Sequence, residues 1–432
     1  MNFGYRTFEP MSAQREHTIA ILGLGYVGLP LAVAFSKKYK TLGFDINAEK
    51  AGLIASGEDP TKELDGDQLS HALQSHLQIT SEPTLLASCT TFIITVPTDI
   101  HPDKSPNLEH LIAASNVVGE HLKKGNLVIY ESTTYPGCTE EVCVPILCEK
   151  SGLVFNEDFT VGYSPERINP GDKQRNVTNI LKVTSGSTLE AGREVDALYN
   201  TVITAGTHLA PSIKVAEAAK AIENAQRDVN ISFINELALI FDKLNIDTGD
   251  VLAAAGTKWN FLPFKPGLVG GHCISVDPYY LAHKAQVVGH DPQVILSGRR
   301  INDSMGLHVA SSVVKLLHQK DLPVKGGRAL ILGLAFKEDT GDVRNSKVMD
   351  VYQELKSFGM EVDVFDPLAN PAQAQREYGI ELVQEIDLSD YPAIILAVPH
   401  QAFSSLVIQS SQDCVVYDLK GVLPRQNVDK RL

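Results

Sequence analysis

The sequence predicts an α/β fold in which two doubly wound parallel-sheet lobes are joined by a long central helix and a helical region. The chain has 432 residues, which is enough for two to four domains. Short β-branched runs alternate with helical patterns in its first and last parts, as is typical of βαβ units. Between these parts, residues 213–244 contain neither glycine nor proline and repeat apolar side chains at helical spacing.

The strands follow from short apolar runs bounded by turn residues. The expected strands are 18–22, 41–45, 91–96, 127–131 and 160–163 in the first lobe, and 329–332, 361–365, 393–398 and 414–418 in the last. The uncharged stretch 18–36 has nearly the length of a membrane span. Its three glycines and its proline favour a buried strand, a turn and a helix instead.

The composition limits the class of function. Hydrophobic residues make up 44% of the chain and charged residues 21%, which is typical of a soluble globular protein. The formal net charge of −14 argues against a nucleic-acid partner. None of the six cysteines forms a C-x-x-C pair, so we expect no metal site and reduced thiols in a cytoplasmic protein. The polar start of the chain has no apolar signal segment, and we expect no membrane partner.

A glycine motif after the first strand predicts a dinucleotide site. Gly23, Gly25 and Gly28 form G-x-G-x-x-G between a strand and a helix. This pattern permits a tight turn, lets a pyrophosphate approach the backbone, and allows close packing of the helix on the strand. Asp45 follows 17 residues after Gly28, at the end of the next strand, where a carboxylate binds the ribose hydroxyls of NAD. The alternative is that Asp45 only caps a helix.

A thiol in a glycine-rich loop is the second chemical signal. Cys273 follows Gly267, Gly270 and Gly271, and a carboxylate, Asp277, comes four residues later. Glycines let a substrate approach the backbone, and a thiol there is a candidate nucleophile for an aldehyde or acyl carbon.

The long helix carries a third signal. Lys220, Asn224 and Asp228 recur every four residues and therefore share one face. They could be a solvated stripe, but the small residues around them suit close packing. A lysine beside an amide could also stabilise an oxyanion.

These residues resemble the motifs of the UDP-glucose/GDP-mannose dehydrogenase family, whose members oxidise nucleotide sugars by four electrons. The resemblance spans residues 17–421. It rests on the glycine motif together with Val96-Pro97-Thr98, Glu131-Ser132-Thr133, Ser164-Pro165-Glu166, Glu217-Ala-Ala-Lys220-x-x-x-Asn224, Gly270-Gly271-His-Cys273 with Asp277, and Phe336-Lys337 with Arg344. The runs 164–172 and 259–273 are similar to those of bacterial UDP-N-acetylhexosamine 6-dehydrogenases, which supply capsule, Vi-type or O-antigen polysaccharides.

The resemblance implies a domain plan. Residues 1–16 would be a flexible leader, and residues 17–206 an NAD-binding Rossmann domain. Residues 207–318 would form a central helical, dimerising and catalytic region, and residues 319–432 a Rossmann-like domain that binds the UDP-sugar. The implied cofactor is NAD, the implied substrate is UDP-GlcNAc or UDP-GalNAc, and the implied assembly is a homodimer. UDP-ManNAc and UDP-glucose remain alternative substrates.

The resemblance also implies a covalent mechanism. Cys273 would add to the aldehyde made by the first oxidation, and the resulting thiohemiacetal would be oxidised to a thioester. Lys220 and Asn224 would stabilise the oxyanion, and Asp277 would act with Lys220 in base chemistry through a water. Glu166 and Thr133 would order the hydrolytic water, although the first could simply cap a helix and the second could be a strand-end hydroxyl.

The remaining implied roles concern binding. The residues that would contact NAD are Gly23, Gly25, Tyr26, Val27, Gly28, Asp45, Pro97, Thr98, Thr133 and Arg344. The residues that would contact the UDP-sugar are Glu166, Arg167, Lys220, Phe264, Lys265, Gly267, Gly270 and Lys337.

Two rival interpretations stay open. A two-electron hydroxyacid dehydrogenase would also join a Rossmann lobe to a long helix with a lysine and an asparagine, but it needs no cysteine loop and no second lobe. A catalytically silent NAD-binding regulator would have no reason to keep Cys273, Lys220, Asn224 and Asp277 together. The yield of NADH per sugar separates the three: two, one or none.

Overall fold

The computed structural model describes residues 17–64, 66–168, 175–271 and 274–432. The chain divides into two compact units, Met1–Thr98 with Asn107–Lys220, and Asp99–Pro106 with Ala221–Leu432. The expected leader, residues 1–16, lies outside the described residues. The domain boundaries after residues 206 and 318 stay predictions.

The first unit is built on a parallel sheet of six strands. In chain order the strands up to residue 209 are β1 (Thr18–Leu22), β2 (Lys40–Phe44), β3 (Leu77–Thr80), β4 (Thr91–Ile94), β5 (Asp99–Ile100), β6 (Pro106–Asn107), β7 (Asn126–Tyr130), β8 (Phe159–Tyr163), β9 (Lys182–Thr184) and β10 (Thr207–Leu209). The large sheet has the order β3-β2-β1-β4-β7-β8, and β9–β10 and β5–β6 form separate two-stranded ribbons. The order reverses between β1 and β4, and in doubly wound sheets ligands bind at the carboxyl ends of the strands at such a point.

Helices cover this sheet. They are α1 (Gly28–Ser36), α2 (Ala48–Ala55), α3 (Gly66–Gln74), α4 (Glu109–His121), α5 (Val144–Ser151) and α6 (Leu189–Asn200), with a π-helical turn at Thr139–Cys143 before α5. The central strands β4 and β7 are buried along their whole length. Continuous burial of this kind is typical of a parallel sheet with helices on both faces.

The second unit contains a smaller parallel sheet. Its strands are β11 (Arg328–Leu332), β12 (Glu361–Phe365), β13 (Ala393–Leu396), β14 (Val415–Asp418) and β15 (Lys430–Arg431), in the order β12-β11-β13-β14-β15. The order again reverses beside the first strand, so this lobe repeats the doubly wound plan of the first. Buried aliphatic side chains of the sheet and of the helices below form its core.

The remaining helices belong to the central and C-terminal parts of the chain. They are α7 (Ile213–Leu244), α8 (Thr248–Ala255), α9 (Asp277–Val287), α10 (Gln293–Gln319), α11 (Val348–Ser357) and α12 (Pro371–Tyr378), with 3₁₀ segments at Leu388–Asp390, Gln401–Ser405 and Arg425–Asn427. A further 3₁₀ segment, Pro83–Ser88, belongs to the first unit. Among the described residues, no helix is both long enough and apolar enough to cross a bilayer.

The predicted fold class is confirmed. Every strand expected from the sequence is present, and α7 has the predicted bounds. The strand expected at 91–96 ends at Ile94, and the one expected at 393–398 ends at Leu396. The sequence did not predict the short strands β3, β5, β6, β9, β10 and β15. Of these, β3 is a four-residue strand at the edge of the large sheet that is only partly buried.

Candidate active site

The glycine turn after β1 is compact towards the protein and open on its other side. Gly23 lies in the left-handed region with φ of 94°, which favours glycine. A Cβ atom on Gly28 would lie 1.9 Å from the carbonyl oxygen of Gly23, so only glycine fits there. A Cβ on Gly25 would meet nothing within 4 Å. Tyr26 and Val27 are half-buried and lead into α1. The open backbone before a helix N-terminus fits the pyrophosphate of a dinucleotide.

Asp45 is held directly against this turn. Its Oδ2 accepts hydrogen bonds from the backbone N–H of Leu24 at 3.0 Å and from Lys50 Nζ at 2.8 Å. Its Oδ1 accepts one from the N–H of Asn47 at 3.0 Å. An ionised carboxylate can accept about four hydrogen bonds, so one position remains for a ribose hydroxyl. The structure thus places Asp45 against the glycine turn, and its contact with a ribose stays a prediction.

The ends of β4 and β7 are tied together beside the turn. The Thr98 hydroxyl donates a hydrogen bond of 2.8 Å to the carbonyl oxygen of Thr133, and the Ser132 hydroxyl donates one of 2.6 Å to Val96. Pro97 is exposed between them. Three predicted residues, Pro97, Thr98 and Thr133, therefore lie at the carboxyl edge that carries the glycine turn.

Glu166 follows β8 at the same edge and is held by several donors. Its Oε1 accepts hydrogen bonds from the N–H groups of Arg167 at 2.5 Å and Ile168 at 2.7 Å, and its Oε2 contacts Lys182 Nζ at 2.8 Å. The Arg167 side chain donates to the carbonyl oxygen of Leu181 at 3.0 Å. Sequence reasoning missed Lys182, since no motif marks it.

A buried carboxylate fixes the start of α7. Glu217 is completely buried and accepts hydrogen bonds from the N–H groups of Gly137 at 2.5 Å and Thr139 at 2.9 Å, and from the Thr134 hydroxyl at 3.2 Å. Burial raises the pKa of Glu217, and these donors oppose the rise. The contacts anchor α7 to the segment that follows β7 and Thr133.

The predicted polar stripe of α7 is buried. Lys220 and Asn224 are each only 7% exposed, and Asp228 is fully buried. The alternative of a solvated stripe is therefore wrong, because the side chains pack inside the protein. Asn224 Nδ2 donates a hydrogen bond of 2.6 Å to Oδ2 of Asp277, the first residue of α9. The structure thus joins two of the predicted catalytic residues directly.

Cys273 lies outside the described residues, but the loop before it is well defined. Asn235 of α7 clamps Gly267: its Oδ1 accepts from the Gly267 N–H at 2.8 Å, and its Nδ2 donates to the Gly267 carbonyl at 3.0 Å. The N–H of Gly271 donates to the Asn345 carbonyl at 3.0 Å. A Cβ on Gly270 would lie 2.5 Å from that same carbonyl oxygen, so glycine is required for this docking.

A cavity of about 330 Å³ opens beside this loop. The predicted residues Phe264 and Lys265 line it, together with Lys420 and Arg431, which sequence reasoning missed. Lys337, also predicted, lines a neighbouring small cavity with Gly270 and Lys420. An aromatic ring and several cations in one cavity suit a base and a diphosphate.

Arg344 has a partner within its own loop. Its guanidinium makes a bidentate contact with Asp342, with Nε–Oδ1 at 2.9 Å and Nη2–Oδ2 at 2.6 Å. Its side chain remains 34% exposed. Contact of Arg344 with NAD stays a prediction.

The second lobe has a turn like that of the first, but hydrogen bonds from the protein occupy all acceptor positions of its aspartate. Gly333 has φ of 92°, close to the value for Gly23. Asp366, the counterpart of Asp45, accepts hydrogen bonds from the N–H groups of Leu334, Ala335, Leu368 and Ala369 and from His400. Burial disfavours its charge, but these donors prevail and lower the pKa of Asp366 to about 2. This carboxylate has no acceptor position left for a ribose.

Among the described residues, no group of three or more His, Cys, Asp or Glu side chains could hold a metal ion. The polar groups at the carboxyl edge of the first sheet instead match a dinucleotide, and the second unit supplies a cation-lined cavity and the Asn224–Asp277 pair.

The chain is similar to known proteins over almost its whole length. Models of the UDP-glucose/GDP-mannose dehydrogenase family match its NAD binding domain at residues 17–203, its central domain at 214–304 and its UDP binding domain at 330–425. The UDP-N-acetyl-D-glucosamine 6-dehydrogenase of Salmonella typhi is 53% identical, covering 96% of this chain and 99% of that protein. The protein of that name from Pseudomonas aeruginosa is 54% identical, covering 97% and 100%.

A solved structure of UDP-D-ManNAc dehydrogenase from Pyrococcus horikoshii has a TM-score of 0.84 at 29% identity, covering 96% of this chain and 98% of that chain. The matched NAD binding domain is the unit in which the glycine turn and Asp45 lie. We conclude that the chain belongs to the UDP-glucose/GDP-mannose dehydrogenase family and is an NAD-dependent nucleotide-sugar dehydrogenase.

Proposed function

We propose that this enzyme oxidises the C6 hydroxyl of a UDP-N-acetylhexosamine to a carboxylate, with UDP-GlcNAc as the first candidate and UDP-GalNAc as the second. The observation that carries the proposal is 53–54% identity, over nearly full length, to two proteins named UDP-N-acetyl-D-glucosamine 6-dehydrogenase. The ManNAc enzyme of known structure is only 29% identical. The product would be a precursor of capsule, Vi-type or O-antigen polysaccharide.

The overall reaction converts a primary alcohol, water and two NAD⁺ into a carboxylate, two NADH and three protons. When bound, NAD supplies the hydride acceptor for each of the two oxidations. The protein must therefore hold an aldehyde between the two oxidations and convert it into a species that carries a second transferable hydride. A thiol meets this need, because its addition to the aldehyde forms a thiohemiacetal with a hydrogen on the same carbon.

Cys273 is the proposed nucleophile. Its sulfur adds to the aldehyde carbon, and oxidation of the adduct leaves a thioester, which water cleaves to release the acid and the thiol. Lys220 and Asn224 would stabilise the oxyanion at this carbon, which their burial supports, since donors act more strongly away from water. Asp277, which accepts a hydrogen bond from Asn224, would share a proton with Lys220 through a water.

Glu166 and Thr133 are proposed to order the hydrolytic water. Three donors hold Glu166 in one orientation, and the tie from Thr98 fixes the backbone of Thr133. Ordered acceptors are what a water needs to attack a thioester in a defined direction. A role of Glu166 as a simple helix cap receives no support, since the described residues that follow it, Arg167 and Ile168, are not helical.

The sugar nucleotide would bind in the second unit. Phe264 offers a ring to the uracil, and Lys265, Lys337, Lys420 and Arg431 offer cations to the diphosphate. The clamped glycine loop 267–271 would let the substrate approach the backbone closely. Arg167 and Glu166 would contact the sugar, and Arg344 would contact NAD.

We also propose a cytoplasmic homodimer with the domain limits predicted above. Helix α7 leaves large apolar side chains exposed, and a second copy would cover them: Val215 at 46%, Ile222 at 54%, Phe233 at 56% and Ile240 at 45%. Light scattering after size exclusion tests this assembly, and a monomer at micromolar concentration would refute it.

A panel of four sugar nucleotides tests the proposed substrate. The enzyme is mixed with NAD and, in separate reactions, with UDP-GlcNAc, UDP-GalNAc, UDP-ManNAc or UDP-glucose, and kcat/KM is measured from NADH absorbance. We expect the highest value with UDP-GlcNAc or UDP-GalNAc. A preference for UDP-ManNAc or UDP-glucose would contradict the substrate, and silence with all four would favour a regulator.

A cysteine variant tests the covalent step. Cys273→Ser should abolish steady production of the acid, because a serine alkoxide adduct gives no labile thioester. Sustained NADH production by this variant at the wild-type rate would contradict the thioester.

A further inference from the structure

Four buried side chains form one network behind the carboxyl ends of β7 and β8. Lys182, the first residue of β9, contacts Glu131 Oε2 at 2.6 Å and Glu166 Oε2 at 2.8 Å. Tyr199 of α6 donates a hydrogen bond to the other oxygen of Glu131. Lys182 and Glu131 are each 2% exposed, and the Glu166 side chain is 10% exposed. We call these four residues the Lys182 network.

Glu166 has one acceptor position left. Its carboxylate accepts hydrogen bonds from the N–H groups of Arg167 and Ile168 and from the Lys182 ammonium. A carboxylate offers about four acceptor positions, so these donors leave room for one more, such as a water.

The charges of the network favour a proton on Glu131. Two carboxylates share one ammonium, so the network would carry one uncompensated negative charge if both were ionised. Burial and the negative charge of Glu166 raise the pKa of Glu131 to about 7, against the opposing effect of Lys182. Among the described residues, Glu131 accepts no hydrogen bond from a backbone N–H, whereas Glu166 accepts two. The proton that restores neutrality therefore belongs on Glu131, and Glu166 stays paired with Lys182.

We propose that Lys182 is a positioning residue for the hydrolytic half of the reaction: it holds the carboxylate of Glu166 in one orientation, and Glu131 and Tyr199 hold Lys182. The inference rests on the proposed role of Glu166 in ordering the water that cleaves the thioester. Among the described residues, the Lys182 ammonium pairs only with Glu131 and Glu166, so we expect no part for it in hydride transfer. Its loss should therefore slow the release of the acid and leave the two oxidations intact.

Lys182→Met tests the proposal, because it removes the charge and keeps a side chain of similar length. Both hydride transfers precede hydrolysis, so a slow hydrolysis should make NADH appear in a rapid burst of two per active site. A slow steady state should follow, with kcat lowered about 100-fold, the loss typical of a misplaced reacting group. Because the thioester then accumulates, KM for the sugar nucleotide should fall together with kcat, while kcat/KM and the affinity for NAD should stay within about threefold of the wild type.

Lys124→Met is the matched control. Lys124 pairs with Asp158 at 2.9 Å in the same unit, but its side chain is 78% exposed. The same substitution there should change neither the burst nor kcat, since exposed ion pairs contribute little. A burst in this control would show that the kinetic effect does not belong to the Lys182 network.

Glu131→Gln provides the second variant, should Lys182→Met fail to fold. Glutamine keeps an acceptor for Lys182 and leaves the ammonium paired with Glu166 alone. We expect this variant to show no burst and to lose any change of kcat that the wild type shows near neutral pH. A burst as large as that expected for Lys182→Met would overturn the proposal, because Glu166 would then have lost its orientation with Lys182 still in place.

The proposal and the reaction it rests on fail in different ways. If the wild type produces no NADH with any sugar nucleotide, the proposed function fails. If the wild type produces two NADH per sugar and Lys182→Met turns over at the wild-type rate, or loses the burst and the rate together, the positioning role fails.

Discussion

Replacement of Gly25 by alanine separates cofactor binding from folding. The Cβ atom of an alanine at this position would meet nothing within 4 Å, and the backbone there is not left-handed. The variant should therefore fold, and the reduced freedom of its unfolded chain should leave its melting temperature unchanged or slightly raised. The new methyl group would instead occupy the open side of the turn, where the pyrophosphate of NAD must approach the backbone.

The size of the effect follows from the contacts that the methyl group would prevent. Hydrogen bonds from backbone N–H groups to a charged phosphate contribute about 1.5–3 kcal/mol each. Loss of one such bond corresponds to a fall in NAD affinity of about ten- to a hundredfold. Gly28→Ala is the contrasting variant, because its Cβ would lie 1.9 Å from the Gly23 carbonyl oxygen and 2.4 Å from Thr95 Oγ1. Overpacking against backbone should destabilise that variant by about 3 kcal/mol or more.

Calorimetric titration with NAD and thermal unfolding provide the two readouts. For Gly25→Ala we expect a weaker Kd at an unchanged melting temperature. For Gly28→Ala we expect a lowered melting temperature. If Gly25→Ala folds and binds NAD as tightly as the wild type, the glycine turn is not the pyrophosphate site, and the reasoning is refuted.

Three further predictions concern carboxylates. Asp45→Ala should weaken NAD binding by about 1–2 kcal/mol through loss of a charge-assisted hydrogen bond, and an unchanged Kd in a titration would remove Asp45 from the site. Asp366→Asn should cost about 2 kcal/mol of unfolding free energy near neutral pH, because the pKa falls from 3.8 to about 2 on folding. Folding favours the ionised form of Asp366, so the difference in unfolding free energy between wild type and variant should shrink as the pH falls from about 4 towards 2. Urea unfolding at several pH values measures this difference, and an equal loss at all pH values would contradict the prediction. Glu217→Gln should cost about 1–3 kcal/mol, since its amide would place a donor against the N–H groups of Gly137 and Thr139. Denaturant unfolding measures this loss, and full stability of the variant would contradict the anchoring of α7.

The residues that could be predicted from the sequence are those whose position depends on local rules. Asp45 could be assigned to the carboxyl end of a predicted strand from the glycine motif and its spacing, whereas Thr98, Thr133 and Glu166 were identified through the family resemblance. The glycine motif also predicts its turn from the sequence, because a side chain at position 28 would collide with the backbone of that turn.

The residues that sequence reasoning missed depend on contacts between distant segments. Lys182 lies in an unremarkable strand, and its importance appears only when the fold brings Glu131 and Glu166 to its ammonium. Lys420 and Arg431 resemble surface cations in the sequence, but the fold places both at the cavity that Phe264 lines. Glu131 and Lys182, for example, are 51 residues apart in the sequence, so no local pattern links them.

The fold also shows how the similar turns of the two lobes differ in the hydrogen bonds to their aspartates. Both lobes place an aspartate at the end of the second strand of the sheet, which sequence spacing alone reveals only for Asp45. In the second lobe His400 and four backbone N–H groups occupy Asp366 completely. The two aspartates therefore differ in the number of donors that already occupy them, and the spacing of glycines in the sequence does not reveal those donors.

The number of NADH molecules formed per sugar tests the central claim most directly. Purified enzyme is mixed with excess NAD and limiting UDP-GlcNAc, and the absorbance of NADH is followed to its endpoint. We predict two NADH for each UDP-GlcNAc, with a carboxylate at C6 of the product. An endpoint of one NADH per sugar, with the aldehyde as the product, would contradict the four-electron reaction.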